Sequence, residues 1–256
     1  MTGQGGYAAS NPQVPQPSSP PASMGASPPS DPPPLTFAYE PMPDLDRPLR
    51  ERLGQYPRVP DLTFDALRMV ARWIAIVLFR IQFPLEVRGV PPAAERVAFV
   101  ANHSSHLDSL AVLASISERR RREIACLAAK DYFFDRLPMA LGGSLFAMAV
   151  SFDRTRYTEL RRWSRILQQQ KRGTLLVFPS GSRRRSEAHD AILFVLAKSG
   201  WTIVPVAIAG TARAWPVGRA LPRPFRRIRV TFGEAPADLA AKDLSALLGG
   251  FWKANA

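Results

Sequence analysis

The sequence predicts an α/β protein with a mainly parallel central sheet flanked by helices. Short apolar runs alternate with helix-like stretches from about residue 61 onward, and such alternation is typical of strand–helix–strand units. Hydrophobic residues make up 46% of the 256 residues, which is enough for a sizeable core. The prolines are concentrated at the start of the chain, where 15 of 25 precede Asp61. The folded domain is therefore predicted to span residues 61–256.

The first 60 residues are predicted to form a disordered tail. Pro, Ser, Gly and Ala dominate this segment up to about residue 43. A segment of this composition buries too little apolar surface to offset the entropy that it loses on ordering. We expect the tail to act as a tether, and a ligand for a proline-recognition module is the alternative.

Residues 61–83 are predicted to form a helix that ends before Pro84. Its apolar middle, residues 73–79, is shorter than the roughly 20 residues that span a bilayer. We therefore expect a membrane-associated interfacial helix, with apolar side chains in the acyl boundary and arginines at the headgroups. An ordinary packed helix is the alternative. The flanking arginines are Arg68, Arg72 and Arg80.

The remaining elements alternate along the chain. Seven apolar runs are predicted to be strands: Leu85–Gly89, Arg96–Ala101, Ile124–Ala128, Met148–Phe152, Thr174–Phe178, Thr202–Ile208 and Ile228–Gly233. Five further stretches are predicted to be helices: Leu107–Arg119, Tyr132–Phe146, Arg156–Lys171, Ala188–Ser199 and Leu239–Trp252.

The formal net charge is +13, which favours polyanionic partners such as nucleic acid, an anionic membrane surface or phosphorylated substrates. No zinc-ligand spacing or RNA-recognition signature accompanies this charge, so no nucleic-acid partner is expected. Cys126 is the single cysteine and lies in an apolar run, which predicts a buried structural thiol. Neither a disulfide nor a signal peptide is indicated. We expect a peripheral or monotopic protein on the cytoplasmic face of a membrane.

Two of the three histidines, His103 and His106, follow the apolar run 97–101. Ligands and catalytic groups of α/β proteins gather at such strand ends. Residues five apart on a continuous helix point about 140° away from each other. His103 can therefore meet Asp108 only from the turn before the helix, where Asp108 would orient it as a general base. A metal site of these three side chains is the alternative, but no further ligand cluster completes it.

Three later segments also contain polar or turn-forming residues at or near predicted strands. Phe178–Arg185 joins a glycine turn to arginines, a pattern that suits anion capture, with a solvated basic turn as the alternative. Arg154, in Phe152-Asp153-Arg154, would face the same pocket. Pro205 interrupts the apolar run 202–208, which predicts an edge strand or a bulge.

Taken in order, these four segments resemble the glycerolipid acyltransferase family, which includes the 1-acylglycerol-3-phosphate acyltransferases. The family shows Asn-His-x4-Asp, an Ile-Asp-Arg-like segment, Phe-Pro-Glu-Gly-Thr-Arg and a Val-Pro-Val strand, and the resemblance covers residues 85–232. It implies that His103, held by Asp108, deprotonates the free hydroxyl of a lysophospholipid. That oxygen would attack the thioester of acyl-CoA or acyl carrier protein directly, with nearby backbone N–H groups stabilising the oxyanion.

The resemblance also implies where the acceptor binds, with Arg154 and Arg183 holding its phosphate. No metal and no cofactor other than the acyl donor is expected. The chain departs from the family at Ser180, where the family usually has glutamate, and at Ser182, which replaces threonine. The lost carboxylate predicts either an acceptor other than lysophosphatidic acid or reduced activity. The expected substrate-binding residues are Asn102, Arg154, Ser180, Gly181, Ser182 and Arg183.

The predicted function is that of an O-acyltransferase in phospholipid biosynthesis, acting on a lysophospholipid at an anionic membrane surface. Two alternatives belong to other classes. One is a homologue that binds lipid with weak turnover or altered acceptor specificity, and the lost carboxylate at Ser180 supports it. The other is a basic nucleic-acid-binding protein, which the net charge alone supports.

Overall fold

The structure is a computed structural model that describes residue 48 and residues 55–56, 62–129, 149–152, 157–179, 190–216, 218–219, 221–236 and 241–255. The helices in these ranges are α1 (Leu62–Gln82), α2 (Asp108–Ser115), α3 (Glu118–Glu123), α4 (Tyr157–Gln169), α5 (Asp190–Lys198), α6 (Thr211–Ala214) and α7 (Ala241–Asn255). The strands are β1 (Leu85–Arg88), β2 (Arg96–Ala101), β3 (Ile124–Ala129), β4 (Ala149–Phe152), β5 (Gly173–Val177), β6 (Thr202–Ala209) and β7 (Ile228–Phe232).

The strands form one sheet in the order β1-β7-β6-β2-β5-β3-β4. Strands β2 to β6 run in one direction, and β7 pairs antiparallel with β6. Strand β1 pairs parallel with β7 and so shares its reversed direction. The predicted α/β class with a mainly parallel sheet is confirmed, and all seven predicted strands are present within one residue at each end.

Two apolar layers cover the two faces of this sheet. Alternate residues of β2 enter different layers, with Val97 and Phe99 in one and Ala98 and Val100 in the other, as the period of two in a strand requires. The first layer includes buried side chains of α1 and α2, and the second includes those of α4, α5 and α7. Helices therefore cover both faces, and the central strands are continuously apolar.

The predicted helix Leu107–Arg119 is two helices, α2 and α3. The chain is extended at Ile116, where φ is −106° and ψ is 163°, and it stays extended at Ser117. Ile116 is buried at this break, so packing of its side chain favours a turn over a continuous helix. The predicted helix Tyr132–Phe146 lies outside the described residues.

Pro205 lies in an interior strand, so the prediction of an edge strand or a bulge is wrong. Strand β6 pairs with β2 on one side and with β7 on the other. The pairing with β7 begins at Val206 and Phe232, and the N–H of Gly233 donates to the Pro205 oxygen at 2.8 Å. In a strand, the nitrogen and the carbonyl of one residue point to the same side, so the nitrogen of Pro205 also faces β7. The β6–β7 ladder does not extend to Pro205. The missing N–H of Pro205 therefore costs no ladder hydrogen bond.

One expectation about the N-terminal part needs correction. The Tyr56 ring stacks on Trp163 with centroids 5.2 Å apart, and the domain boundary at Asp61 stays a prediction. Within α1, Arg68 and Arg72 are only 6% and 5% exposed. These two arginines lie on the inward side of α1, because apolar side chains occupy its outward face. The rest of the predicted tail, apart from Pro48 and Gln55, lies outside the described residues.

None of the helices in the described part of the chain has the length and hydropathy needed to cross a bilayer.

Candidate active site

The turn between β2 and α2 brings His103 and Asp108 together. His103 lies in the turn, and Asp108 is the first residue of α2. Nδ1 of His103 is 3.0 Å from Oδ2 of Asp108. The Asp108 side chain is completely buried and that of His103 is 18% exposed. The imidazole is thus fixed at one nitrogen by a carboxylate that is shielded from water.

Asp108 Oδ2 also accepts two backbone hydrogen bonds, from Ser104 N–H at 2.6 Å and from Ser105 N–H at 2.8 Å. An oxygen that accepts from two N–H groups acts as an acceptor toward the imidazole as well. Nδ1 of His103 is therefore the protonated nitrogen, and Nε2 keeps a free lone pair. This is the tautomer that a general base requires.

The same two bonds show where two backbone donors of the turn are directed. The N–H groups of Ser104 and Ser105 are the backbone donors that directly follow His103, and both point at Asp108. They hold the carboxylate in place and are not directed at a substrate oxygen. Stabilisation of the oxyanion by other backbone N–H groups near His103 stays a prediction.

The third sequence segment begins beside His103. Strand β5 is a direct neighbour of β2, and Phe178 follows its last residue. The Phe178 ring lies 4.4 Å from the His103 ring, centroid to centroid, at an interplanar angle of 32°. The imidazole is therefore held between a carboxylate and an aromatic face. Pro179 is the last described residue of this segment, and Ser180, Gly181, Ser182 and Arg183 lie outside the described residues.

Asn102 connects the turn to strand β6. Its Nδ2 donates to the Ile208 carbonyl at 2.9 Å, and its Oδ1 accepts from the Ile208 N–H at 2.7 Å. The side-chain amide thereby imitates a strand residue and extends the β2–β6 ladder by one step. These bonds give Asn102 a positioning role that sequence reasoning missed. Substrate contact by Asn102 stays a prediction.

A short helix missed by sequence reasoning, α6, also holds the turn. The Ser104 hydroxyl lies 3.1 Å from that of Thr211, and the Ser105 hydroxyl donates to the Trp215 carbonyl at 3.0 Å. Gly210 precedes α6 with φ of +88°, and a Cβ there would stand 2.2 Å from the Arg227 oxygen. The signal was present in the sequence as Gly210-Thr211 directly after a strand.

The second sequence segment follows β4, which is an outer strand of the sheet. Two strands, β5 and β3, lie between β2 and β4, so the ends of β2 and β4 are about 14 Å apart at the usual strand spacing. Arg154 itself lies outside the described residues. An arginine after β4 would have to extend along this edge to reach the same substrate as His103.

No group of three His, Cys, Asp or Glu side chains suited to a metal is found in the described part of the chain. Cys126 is 3% exposed, and the prediction of a buried thiol is confirmed. Burial raises the pKa of this thiol to about 12, although a contact with the Ser109 hydroxyl opposes the shift. Such a thiol stays protonated at neutral pH and is a poor nucleophile.

The fold and this site define an α/β protein with an oriented histidine at the carboxyl end of a central parallel strand. Residues 85–209 match the family model described as Acyltransferase. No curated protein sequence matches the chain significantly. Among solved structures, the chain is similar to the 1-acyl-sn-glycerophosphate (LPA) acyltransferase PlsC from Thermotoga maritima. The TM-score is 0.52 at 19% identity, and the alignment covers 75% of this chain and 77% of that chain.

Residues 85–209 therefore form an acyltransferase domain, and this match together with the PlsC-like fold supports membership of the glycerolipid acyltransferase family. The similarity to PlsC extends beyond the residues of the family match and supports the same α/β fold.

Proposed function

We propose that this protein transfers a fatty acyl group from acyl-CoA or acyl carrier protein to the free hydroxyl of a lysophospholipid such as 1-acylglycerol-3-phosphate. The observation that carries the proposal is the 3.0 Å contact between His103 Nδ1 and Asp108 Oδ2. It fixes the tautomer in which Nε2 accepts a proton, and family membership supplies the reaction class. The solved PlsC structure is described as that of a 1-acyl-sn-glycerophosphate acyltransferase, which supports the acceptor class.

The proposed step needs no covalent enzyme intermediate. Nε2 of His103 takes the hydroxyl proton while the acceptor oxygen attacks the thioester carbonyl carbon. The tetrahedral adduct collapses, the C–S bond breaks, and the imidazolium returns the proton to the leaving thiolate. Buried Asp108 stabilises the imidazolium through the Nδ1–H bond. Oxygen is acylated and thiol is released, so the reaction balances without a metal or an oxidant.

The acceptor phosphate is proposed to bind the arginines of the second and third segments. Phe178 lies against His103, so the chain that follows it begins at the catalytic edge of the sheet. Arg183 follows five residues later in the sequence and is proposed to bind the phosphate of a substrate whose hydroxyl contacts His103. Arg154 would contribute from the β4 side, together with Ser180, Gly181 and Ser182.

The membrane association of the protein is proposed from α1. Its outward face carries apolar side chains that are 45% to 68% exposed, while Ile76, Phe79 and Phe83 pack into the core. An exposed apolar helix face of this extent is typical of an interfacial helix. The exposed set is Leu67, Met69, Val70, Trp73, Ile74, Leu78 and Ile81.

The loop at residues 221–227 extends this proposed membrane-facing surface. Leu221 and Phe225 are each 77% exposed, and the Phe225 N–H donates to the carbonyl of Gln82, the last residue of α1, at 2.7 Å. Apolar tips flanked by basic side chains suit an anionic lipid interface. The exposed arginines of the loop are Arg223, Arg226 and Arg227.

The test is an acyl-transfer assay on the purified protein with a panel of lysophospholipids and both donor classes, read by mass spectrometry. We expect transfer to a phosphate-bearing lysolipid. Replacing His103 with alanine should reduce transfer at least 100-fold while folding and vesicle binding persist. The matched control is His106→Ala, since His106 lies on the same turn and is exposed. Equal activity of the His103→Ala variant would overturn the mechanism.

A lipid-binding homologue without turnover is the second candidate, and Ser180 in place of glutamate favours it. In that case, no lysolipid in the panel would be acylated by either donor, although vesicles would still bind.

A further inference from the structure

A cleft of about 480 Å³ lies between α1 and α3, away from His103. Helix α3 ends where β3 begins, and β3 runs in the same direction as β2. The cleft is therefore near the amino end of the parallel strands, whereas His103 follows the carboxyl end. A six-residue strand such as β2 separates the two edges by roughly 20 Å.

The walls of the cleft combine two kinds of side chain. Helix α1 contributes Met69, Val70, Trp73 and Ile76, and α3 contributes the charged Glu118, Arg121 and Arg122. Trp73 and Val70 are 63% and 52% exposed and also belong to the outward apolar face of α1. The cleft thus lies beside the surface that is proposed to contact lipid.

Arg72 is the buried charge of this cleft. It is 5% exposed, and its Nη1 has no hydrogen-bond partner among the described residues. A buried unpaired guanidinium nitrogen is costly unless an anion satisfies it. Burial lowers the pKa of Arg72, and the charges of Arg68, Arg121 and Arg122 lower it further, with Glu118 opposing them.

The acidic side chains present in the described residues do not balance these arginines. Arg68 is paired with Asp65 at 2.6 Å. Glu118 is shared between Arg121 at 3.3 Å and Arg122 at 3.4 Å, both at the long end for ion pairs. One carboxylate therefore serves two arginines at the mouth of the cleft and approaches neither closely.

We propose that this cleft is an accessory site for an anionic phospholipid, separate from the catalytic site. The headgroup phosphate would bind Arg121, Arg122 and the guanidinium of Arg72. Its acyl chains would lie against Trp73 and Val70. Charge complementarity selects an anion, and the adjoining apolar face selects one that carries hydrocarbon. A bound lipid of this kind would fasten α1 to α3 and fix the orientation of the domain on the membrane.

The test is binding of monomeric dihexanoyl phosphatidylglycerol to the full-length protein, without acyl donor. Binding is measured by calorimetry and by the part of the tryptophan fluorescence that a Trp73→Phe variant lacks. We expect saturable one-to-one binding that Arg121→Gln/Arg122→Gln weakens at least tenfold. The control double variant Arg119→Gln/Arg172→Gln removes the same charge outside the cleft and should bind as the parent does. Glu118→Gln removes the competing carboxylate and should tighten binding severalfold.

Three results would overturn the proposal. One is equal weakening by the cleft and control variants, which would indicate a general charge effect. Another is equal affinity for dihexanoyl phosphatidylcholine, and the third is equal affinity for inorganic phosphate. The His103→Ala variant should bind phosphatidylglycerol normally. If the parent protein transfers acyl groups but does not bind phosphatidylglycerol, this site alone is disproved. If the parent binds phosphatidylglycerol but transfers no acyl group, only the proposed function is disproved.

Discussion

Asn102 exchanges two hydrogen bonds with the backbone of Ile208, at 2.9 and 2.7 Å, and so fastens the residue before His103 to strand β6. Asn102→Ala would leave the Ile208 N–H and carbonyl without these partners, at a cost of about 1–3 kcal/mol in the free energy of unfolding. It would also release the turn that positions His103. We expect acyl transfer to fall at least tenfold, measured as kcat/KM alongside denaturant unfolding.

The control for this variant is Asn255→Ala. Asn255 also donates from its side-chain amide to a backbone carbonyl, that of Phe251 at 2.9 Å, but it lies at the end of α7. This change should lower stability slightly and leave kcat/KM unchanged. If both variants lose activity only in proportion to stability, Asn102 has no positioning role.

Asp108→Asn tests the orienting carboxylate. Oδ2 accepts from His103, Ser104 and Ser105. An asparagine oxygen can take that place, but its NH₂ then replaces the buried Oδ1, which has no partner among the described residues, and the neutral amide cannot stabilise an imidazolium on His103. We expect acyl transfer to fall by about 100-fold or more, with a smaller loss of stability. Asp65→Asn, on an exposed acid of α1, is the control. Activity close to that of the parent would show that the charge of Asp108 is not needed to stabilise the imidazolium.

The fold was largely predictable because the strands of a parallel sheet are buried on both faces. The central strands therefore form apolar runs, such as residues 97–101 of β2, and the structure reproduces the predicted bounds Arg96–Ala101 without change. The break between α2 and α3 was not predictable, because helix periodicity continues through Ile116 and only tertiary packing ends it. The interior position of Pro205 depends on where β7 stops, which no local pattern reports.

The contact between His103 and Asp108 was predictable. Two residues five positions apart in the sequence point away from each other on one helix, so they can meet only if the first lies in the turn before the helix. The environment of the pair was not. Thr211 and Trp215 are more than 100 residues away in the chain, and their contacts with the turn arise from strand order. Likewise, the inward direction of Arg68 and Arg72 depends on which face of α1 packs on the sheet.

Ser180→Glu tests the departure from the family pattern. The change would restore a carboxylate beside Arg183 to Arg185 and thereby neutralise part of their charge. If the protein is specialised for a different acceptor, transfer to lysophosphatidic acid should rise severalfold relative to other lysolipids in the same panel. Unchanged acceptor preference would show that this position does not select the acceptor. Ser186→Glu adds the same charge nearby and is the control.

Cys126 gives a prediction about alkaline stability. Its pKa is raised by burial from 9.0 to about 12, so the thiol ionises more easily in the unfolded state. The resulting stabilisation is complete below pH 9 and is lost as pH rises toward 12. The difference in unfolding free energy between the parent and Cys126→Ala should therefore shrink by about 1.4 kcal/mol per pH unit above pH 9. If urea denaturation gives the same difference in unfolding free energy between the two proteins at pH 8, 9 and 10, the prediction is wrong.

Phe225 provides the sharpest test of the membrane-facing loop. It is 77% exposed, has φ of +60°, and is tied through its N–H to Gln82 at the end of α1. Because its ring has few protein contacts to lose, Phe225→Ser should leave stability unchanged and weaken binding to phosphatidylglycerol vesicles about tenfold. Val90→Ser removes an 88% exposed side chain that follows the last residue of β1. Because β1 and β7 run parallel, this position is at the other end of the strand pair from the loop, and the variant should bind normally. Equal vesicle binding by both variants, measured by sedimentation, would remove the loop from the membrane-facing surface and leave α1 as its sole apolar element among the described residues.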